Sequence, residues 1–463
     1  MNRYFGDRKF YKRVLAVAIP IMIQNGITNF VNMLDNVMVG QLGTDSISGV
    51  AIINQLMFVY FLCMFGALAG IGIFTAQYYG KGDHDGVRYT FRMQVIVGLL
   101  LAGIGIAVLM LFGDDLTLRF LTEDSGGGTV EGTLFNAHSY LSVLIFELVP
   151  FAMVQVYANT LRNTGETMVP MVAGIVAVFV NLIGNYILIY GKLGAPRLGV
   201  MGAALATVLA RCVELFVIAY WTHTHTNRNI FIAGAYRHLF GVPRELIVTI
   251  VPKALPLFFN ESLWSAGQTV LVRCYSLHGI SSVTALNIAN TIAEVFNIAF
   301  IAMGSAMAII LGQLLGAGKI EKAKADATRL TVFSVLLCIV AGTMLFASSY
   351  VFPGFYNTSD EIRMLAAQLI RTAGFFTPVY AYTNAAYFIL RSGGRTGITF
   401  LFDSCFVWLI NVPIAYVLSR FTGMDMLSIY ICVNLAELLK CLIGFLMVRT
   451  GKWAVNLTEQ VEG

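Results

Sequence analysis

Twelve apolar runs divide the chain, at approximately 14–40, 47–79, 93–113, 137–160, 168–191, 200–222, 247–277, 284–315, 328–352, 362–389, 397–419 and 426–449. Each meets or exceeds the ~20 residues that a helix needs to cross the hydrocarbon core of a bilayer. A chain inside lipid must satisfy its own backbone N–H and C=O groups, which leaves helices as the solution for runs of this length. The expected fold is therefore all-α and polytopic, with twelve transmembrane helices. Charged residues make up 12% of the sequence, against about 25% in an ordinary soluble domain. The basic start "MNRYFGDRKFYKRV" runs into the first apolar stretch with no small-residue cleavage site after it, so that helix is expected to be retained.

The net charge of +5 does not indicate a nucleic-acid partner, because the basic residues are spread over short loops rather than along one face. Their placement reports topology instead. With a cytoplasmic amino terminus, most of the 30 basic residues fall in inner loops, Arg88, Arg92, Arg162, Lys319, Arg395 and Lys452 among them. The positive-inside rule then puts both termini in the cytoplasm. The seven cysteines are scattered inside apolar runs and read as small core residues, not as disulfides or metal ligands. The outer segment "FGDDLTLRFLTEDSGGGTVEG" is acidic and Gly-rich, and is expected to be solvated and mobile.

The sequence repeats itself. At an offset of 236, "VAIPIMIQNG" falls on "KALPLFFNES", pairing Pro20 with Pro256 and Asn25 with Glu261, while "FTAQYYGKGD" falls on "ILGQLLGAGK". At an offset of 229, "LRNTGETMVPM" meets "LRSGGRTGITF". Each copy holds six helices, an even number, so the repeats are parallel and related by an axis along the membrane normal. The expected organisation is an amino-terminal lobe over 1–222, a cytoplasmic loop over 223–246 and a carboxy-terminal lobe over 247–463, with the substrate cavity between the lobes.

Against this apolar background the acids stand out. A charged side chain at bilayer depth costs a few kcal/mol or more, so it is rare there and usually faces a cavity or a partner. Asp35 lies in the first run, and its counterpart in the second repeat is Leu271; Glu261 lies in the seventh, opposite Asn25. Had these acids served packing alone, both copies would more often have kept them. Glu294, one turn from Asn290, and Asp403 are further cavity candidates together with Asn25. Asn181 and Asn185 are four residues apart and share one helical face. Arg211 and Glu214 are spaced for an ion pair along one helix, as are Glu437 and Lys440; Glu147 has no partner that spacing can name. Pro20 and Pro256 free backbone carbonyls and allow bending, which makes them candidate hinges.

The bland alternatives are a structural hydrogen-bonding role for Asp35 among Asn29, Asn32 and Asn36, interhelical hydrogen bonds for the asparagines, and simple helix geometry for the prolines. His223 and His225 in "WTHTHTNRN" read as solvated loop residues rather than metal ligands.

Taken in order and spacing, "LDNVMVGQLG", "AQYYGKGD", "LRNTGETMVPM", "NLIGNYILIYG", "GVMGAALATVLAR" and "GQLLGAGK" resemble the MATE family, the multidrug and toxic compound extrusion transporters. The resemblance covers nearly the whole chain. It implies an antiporter of the prokaryotic plasma membrane, a monomer that works by alternating access and expels small amphipathic, mostly cationic compounds in exchange for H+ or Na+. The family's amino-lobe cation site carries over onto Asp35, Asn181, position 185 and Thr207, with Asn185 standing where many members have aspartate. Glu261 in "FFNESLW" resembles a carboxylate that the NorM branch uses in its seventh helix.

A lipid-linked oligosaccharide flippase of the same superfamily is the nearest alternative, but such proteins often carry cationic cavities, whereas the acids here favour a cationic substrate. A membrane-embedded acyltransferase would need a nucleophile or base with a partner, and His138 lacks one in the sequence pattern. With no nucleotide loop of the GxxxxGK[ST] type, the chain is expected to be no enzyme and to need no cofactor beyond the coupling ion.

Overall fold

The structure is a computed structural model that describes residues 4–120 and 129–459. Twelve long helices follow one another: α1 Arg8–Gly40, α2 Thr44–Lys81, α3 His84–Phe120, α4 Val130–Asn163, α5 Met168–Tyr190, α6 Val200–Thr224, α7 Arg244–Ser276, α8 Ile280–Gly316, α9 Ile320–Ser348, α10 Asp360–Ser392, α11 Thr396–Phe421 and α12 Met426–Arg449. The expected all-helical fold of twelve helices is observed. Eleven are long and apolar enough to cross a membrane on hydropathy alone; α10 is the more polar exception. Residues 121–128 of the acidic outer segment lie outside the described residues.

Two helices depart from regular geometry. A single 3-10 turn, Ile145–Glu147, interrupts α4. In α11 two wide π turns, Leu401–Cys405 and Val407–Asn411, contain Asp403 and end on Asn411. Such turns displace side chains from their α-helical directions and often mark functional positions. By contrast α1 and α7 continue as helix through Pro20 and Pro256.

By their contacts the residues form two compact units. The first holds residues 23–75 and 83–247; the second holds 1–22, 76–82 and 248–463. Division by contact thus departs from chain order at the start of α1 and at the end of α2.

Within the first unit, α6 packs closely on α5 because the facing residues are small. A Cβ at Gly184 would stand 2.9 Å from that of Ala206, and one at Gly202 would meet the Leu188 carbonyl. Small residues are what let helix backbones approach in lipid, where apolar side chains gain little by leaving the surrounding tails. The loop after α6 is pinned by buried Arg92, whose Nε donates to Ala235 O at 2.8 Å and whose Nη2 donates to Gly234 O at 2.9 Å. His223 meets the Tyr157 hydroxyl at 3.0 Å, and His225 stacks on Trp221.

The core of the second unit runs from Val14 and Ala18 of α1 through Met303 and Met307 of α8 to Phe388 of α10. At one end the turn after α2 crosses α8 backbone to backbone. A Cβ on Gly80 would run into the backbone of Gln313, and a Cβ on Gly316 into that of Gln77. The two glycines are equivalent in the repeat, as are Gly82 and Gly318, whose φ values of 81° and 71° are readily adopted only by glycine.

Gln77 itself is fully buried. Its amide nitrogen donates to Ser392 O at 3.1 Å and Val455 O at 3.3 Å, and its oxygen accepts from the Leu457 N–H at 2.7 Å. Trp453, Leu457 and Thr458 are buried with it.

Replacing Gly80 or Gly316 by valine inserts atoms where backbone already stands. Each should cost about 1–3 kcal/mol, read as a lower unfolding midpoint in detergent. Gly103→Ala, which meets nothing within 4 Å, should leave the midpoint unchanged or raise it slightly.

Candidate functional site

The close approach of α5 to α6 brings the expected amino-half residues together. Asn181 and Asn185, one turn apart on α5, are both buried, and Thr207 faces them from α6. Asp35 of α1 completes the group. Asn185 Nδ2 donates to Asp35 Oδ1 at 2.6 Å, and the Asn181 amide lies between Asp35 and Thr207.

The Asn181 amide is oriented by its neighbours: its nitrogen donates to both carboxylate oxygens of Asp35, at 2.9 and 3.1 Å, and its oxygen accepts from Thr207 Oγ1 at 3.2 Å. Buried Asn185 Oδ1 has no hydrogen-bond partner among the described residues and is a further oxygen beside the carboxylate.

One turn beyond Thr207, Arg211 lies between two acids. Its Nε donates to Glu147 Oε1 at 2.9 Å and its Nη1 to Glu214 Oε2 at 2.8 Å, with both carboxylates almost fully buried. The local Arg211–Glu214 pair matches its sequence spacing. Glu147 was legible only as an unexplained acid, because its partner arrives from another helix. Nearby, Arg162 Nη2 donates to Gln24 Oε1 at 2.6 Å.

The second unit holds a separate polar group. The Tyr387 hydroxyl donates to Glu261 Oε1 at 3.2 Å; the neighbouring Asn260 donates through Nδ2 to Asp403 Oδ2 at 3.0 Å, and its backbone oxygen accepts from Ser404 Oγ at 2.7 Å. Lys440 Nζ donates to Asp403 Oδ1 at 2.9 Å. The local pairing expected of Glu437 with Lys440 is thus replaced: Lys440 reaches across to Asp403, and Glu437 accepts from Asn411 Nδ2 at 2.9 Å. Both new partners lie in the π turns of α11, a feature that helical periodicity does not reveal.

Asp35 and Asn25 belong to the first unit, whereas Glu261, Glu294 and Asp403 belong to the second. Asn25 is half-buried and Glu294 is exposed on α8. No group of three or more His, Cys, Asp or Glu side chains is arranged to hold a metal among the described residues.

The MatE family model matches residues 20–187 and 256–417, two segments that begin at the paired prolines. The chain belongs to the MATE family. A probable multidrug resistance protein NorM of Halalkalibacterium halodurans is 26% identical over 89% of this chain and 88% of that protein. A multidrug resistance protein MdtK of Yersinia pseudotuberculosis is 24% identical over 90% and 89%. Among solved structures, a MATE protein in a straight conformation matches with a TM-score of 0.85 at 20% identity over 96% of both chains. One in a bent conformation matches with a TM-score of 0.84 over 99% of this chain and 98% of that one. The chain is accordingly a multi-pass membrane transporter with the MATE fold.

Arg211→Met leaves Glu147 and Glu214 buried without their cation. It should destabilise the protein by about 3 kcal/mol, measured by thermal unfolding in detergent. The triple change Glu147→Gln, Arg211→Met, Glu214→Gln should recover most of that loss, since no uncompensated charge remains.

Proposed function

We propose that this MATE protein is a multidrug efflux antiporter that exports small amphipathic cations in exchange for protons, with Asp35 as the coupling residue. The observation that carries the reading is the geometry around Asp35: a carboxylate of α1 held by the side-chain amides of Asn181 and Asn185, with Thr207 behind Asn181. Protonating Asp35 removes the charge to which these amides donate, which weakens the hold of α5 on α1.

With aspartate absent at position 185, Asp35 is the one formal charge of this four-residue group, which suits a proton better than a hard cation that favours several carboxylate oxygens. The names of the NorM and MdtK relatives support multidrug efflux, and the acids of α1 and α7 support a cationic substrate. Pro20 and Pro256 are the proposed hinges, because each frees a backbone carbonyl inside a long helix. The protein is proposed to act as a monomer in the plasma membrane with both termini in the cytoplasm, the side that the basic loops favour.

The deciding measurement is drug transport in proteoliposomes under an imposed pH gradient or, separately, an imposed Na+ gradient. A pH gradient alone should drive transport, and Asp35→Asn, which keeps the volume and removes the titratable charge, should abolish it while the protein remains folded. Transport under Na+ alone with the pH gradient collapsed would overturn the proton assignment in favour of an oxygen cage of Asp35, Asn181, Asn185 and Thr207.

Asn185→Asp, by adding a second carboxylate, should introduce Na+ dependence. Glu261→Gln should reduce efflux of cationic compounds more than of neutral ones, and equal loss for both would rule out a substrate-facing role.

A further inference from the structure

A small cavity in the second unit lies apart from the polar groups described above. It encloses about 90 Å³ and is lined by Lys253 of α7, by Gly393, Gly394 and Arg395 of the turn between α10 and α11, and by Val455 and Leu457 of the carboxy-terminal segment. Ligand pockets for drug-sized molecules run to about 300–1,000 Å³, so this cavity is no substrate site. Its volume is that of about three waters, the scale of a single phosphate group.

Among the described residues the lining contains two cations and no carboxylate. Lys253 has neither a hydrogen bond nor an ion pair with any described residue, and Arg395 is positioned by a hydrogen bond from its Nε to Lys452 O at 3.2 Å. Two like charges beside one open cavity, half-buried Lys253 and exposed Arg395, favour an anion between them. Gly393 and Gly394 let the segment 453–457 pack directly on the turn that borders the cavity, because a Cβ on either would run into Trp453 or Leu457.

The depth of the site fits a membrane lipid. With its 33 residues, α7 is about 50 Å long and the hydrocarbon core about 30 Å thick, so roughly 10 Å of helix stands in the headgroup layer at each end. Lys253 lies about 13 Å from the start of α7, at the boundary, and its side chain can extend to the level of lipid phosphates. The cavity opens on the side of the carboxy terminus, which basic loops assign to the cytoplasm. Basic pockets between transmembrane helices on that side are suited to anionic headgroups.

We infer that Lys253 and Arg395 form a binding site for a phosphate-bearing anion, which seats against the carboxy-terminal segment 453–458. The chemistry is shared by an anionic phospholipid headgroup and by free phosphate, and the two sources are distinguished by titration. The full chain, purified in detergent, is titrated with phosphatidylglycerol, phosphatidylcholine or inorganic phosphate while its unfolding midpoint is followed. Phosphatidylglycerol should raise the midpoint and phosphatidylcholine should not.

In the double variant Lys253→Gln, Arg395→Gln the response should need at least roughly tenfold more lipid, a change of about 1.4 kcal/mol. The charge-keeping double variant Lys253→Arg, Arg395→Lys should respond like the unmodified chain. A response to inorganic phosphate that the neutral variant loses identifies free phosphate as a source; a response to the lipid alone identifies the headgroup. The proposal is overturned if the neutral variant and the unmodified chain respond equally to both anions, or if neither anion moves the midpoint of the unmodified chain. Should the neutral double variant not fold, Lys253→Gln alone is compared with Lys253→Arg, and equal responses from these two overturn it as well.

Discussion

Any charge carried into the bilayer has to find its counterpart inside the protein, and the arrangement of this molecule follows from how each charge is met. Several are met by the opposite sign. Arg211 lies between Glu147 and Glu214, Lys440 on Asp403, and Arg329 beside Asp326 at 2.9 Å. Pairs of this kind are costly to break and have little reason to change state. Asp35, Glu261 and Glu437 are met differently, by the neutral amide or hydroxyl groups of Asn185, Tyr387 and Asn411. A carboxylate held this way is stabilised by hydrogen bonds rather than by a paired cation.

The two sequence repeats have kept their backbone and diverged in their polar chemistry. Gly80 and Gly316 meet the reciprocal backbones of Gln313 and Gln77, and Gly82 and Gly318 turn the chain the same way. At the Asp35 position, however, the second repeat has Leu271, buried in an apolar cluster with Tyr275 and Leu286. Glu261 replaces Asn25 in the opposite sense. Duplication supplied a scaffold with two equivalent sets of positions, and each half now carries a different acid on its first helix.

Much of this was legible in the sequence, and for definite reasons. The helices were legible because lipid allows long apolar runs little else. The α5 and α6 part of the Asp35 group was legible because Asn181 and Asn185 share a face and because the resemblance to the MATE family carries Thr207 onto the same site. What stayed hidden depends on contacts between helices distant in sequence. Glu147 offered no sign of Arg211, and Lys440 appeared to belong to Glu437 until the π turns of α11 brought Asp403 and Asn411 within reach. Helix α10, legible as the run 362–389 although more polar than the others, packs in the core of its unit through Phe388 and its neighbours.

Gln77 ends the second helix to be made, yet its amide is completed by Ser392, Val455 and Leu457, the last of these 380 residues further along. At about 5–20 residues per second of synthesis, roughly 20 to 80 seconds separate the two. Throughout that interval the end of α2 has polar groups for which the chain has not yet provided partners. The end of α2 is therefore settled by a segment made long after it, and its burial is a late event of assembly however early α2 itself becomes helical.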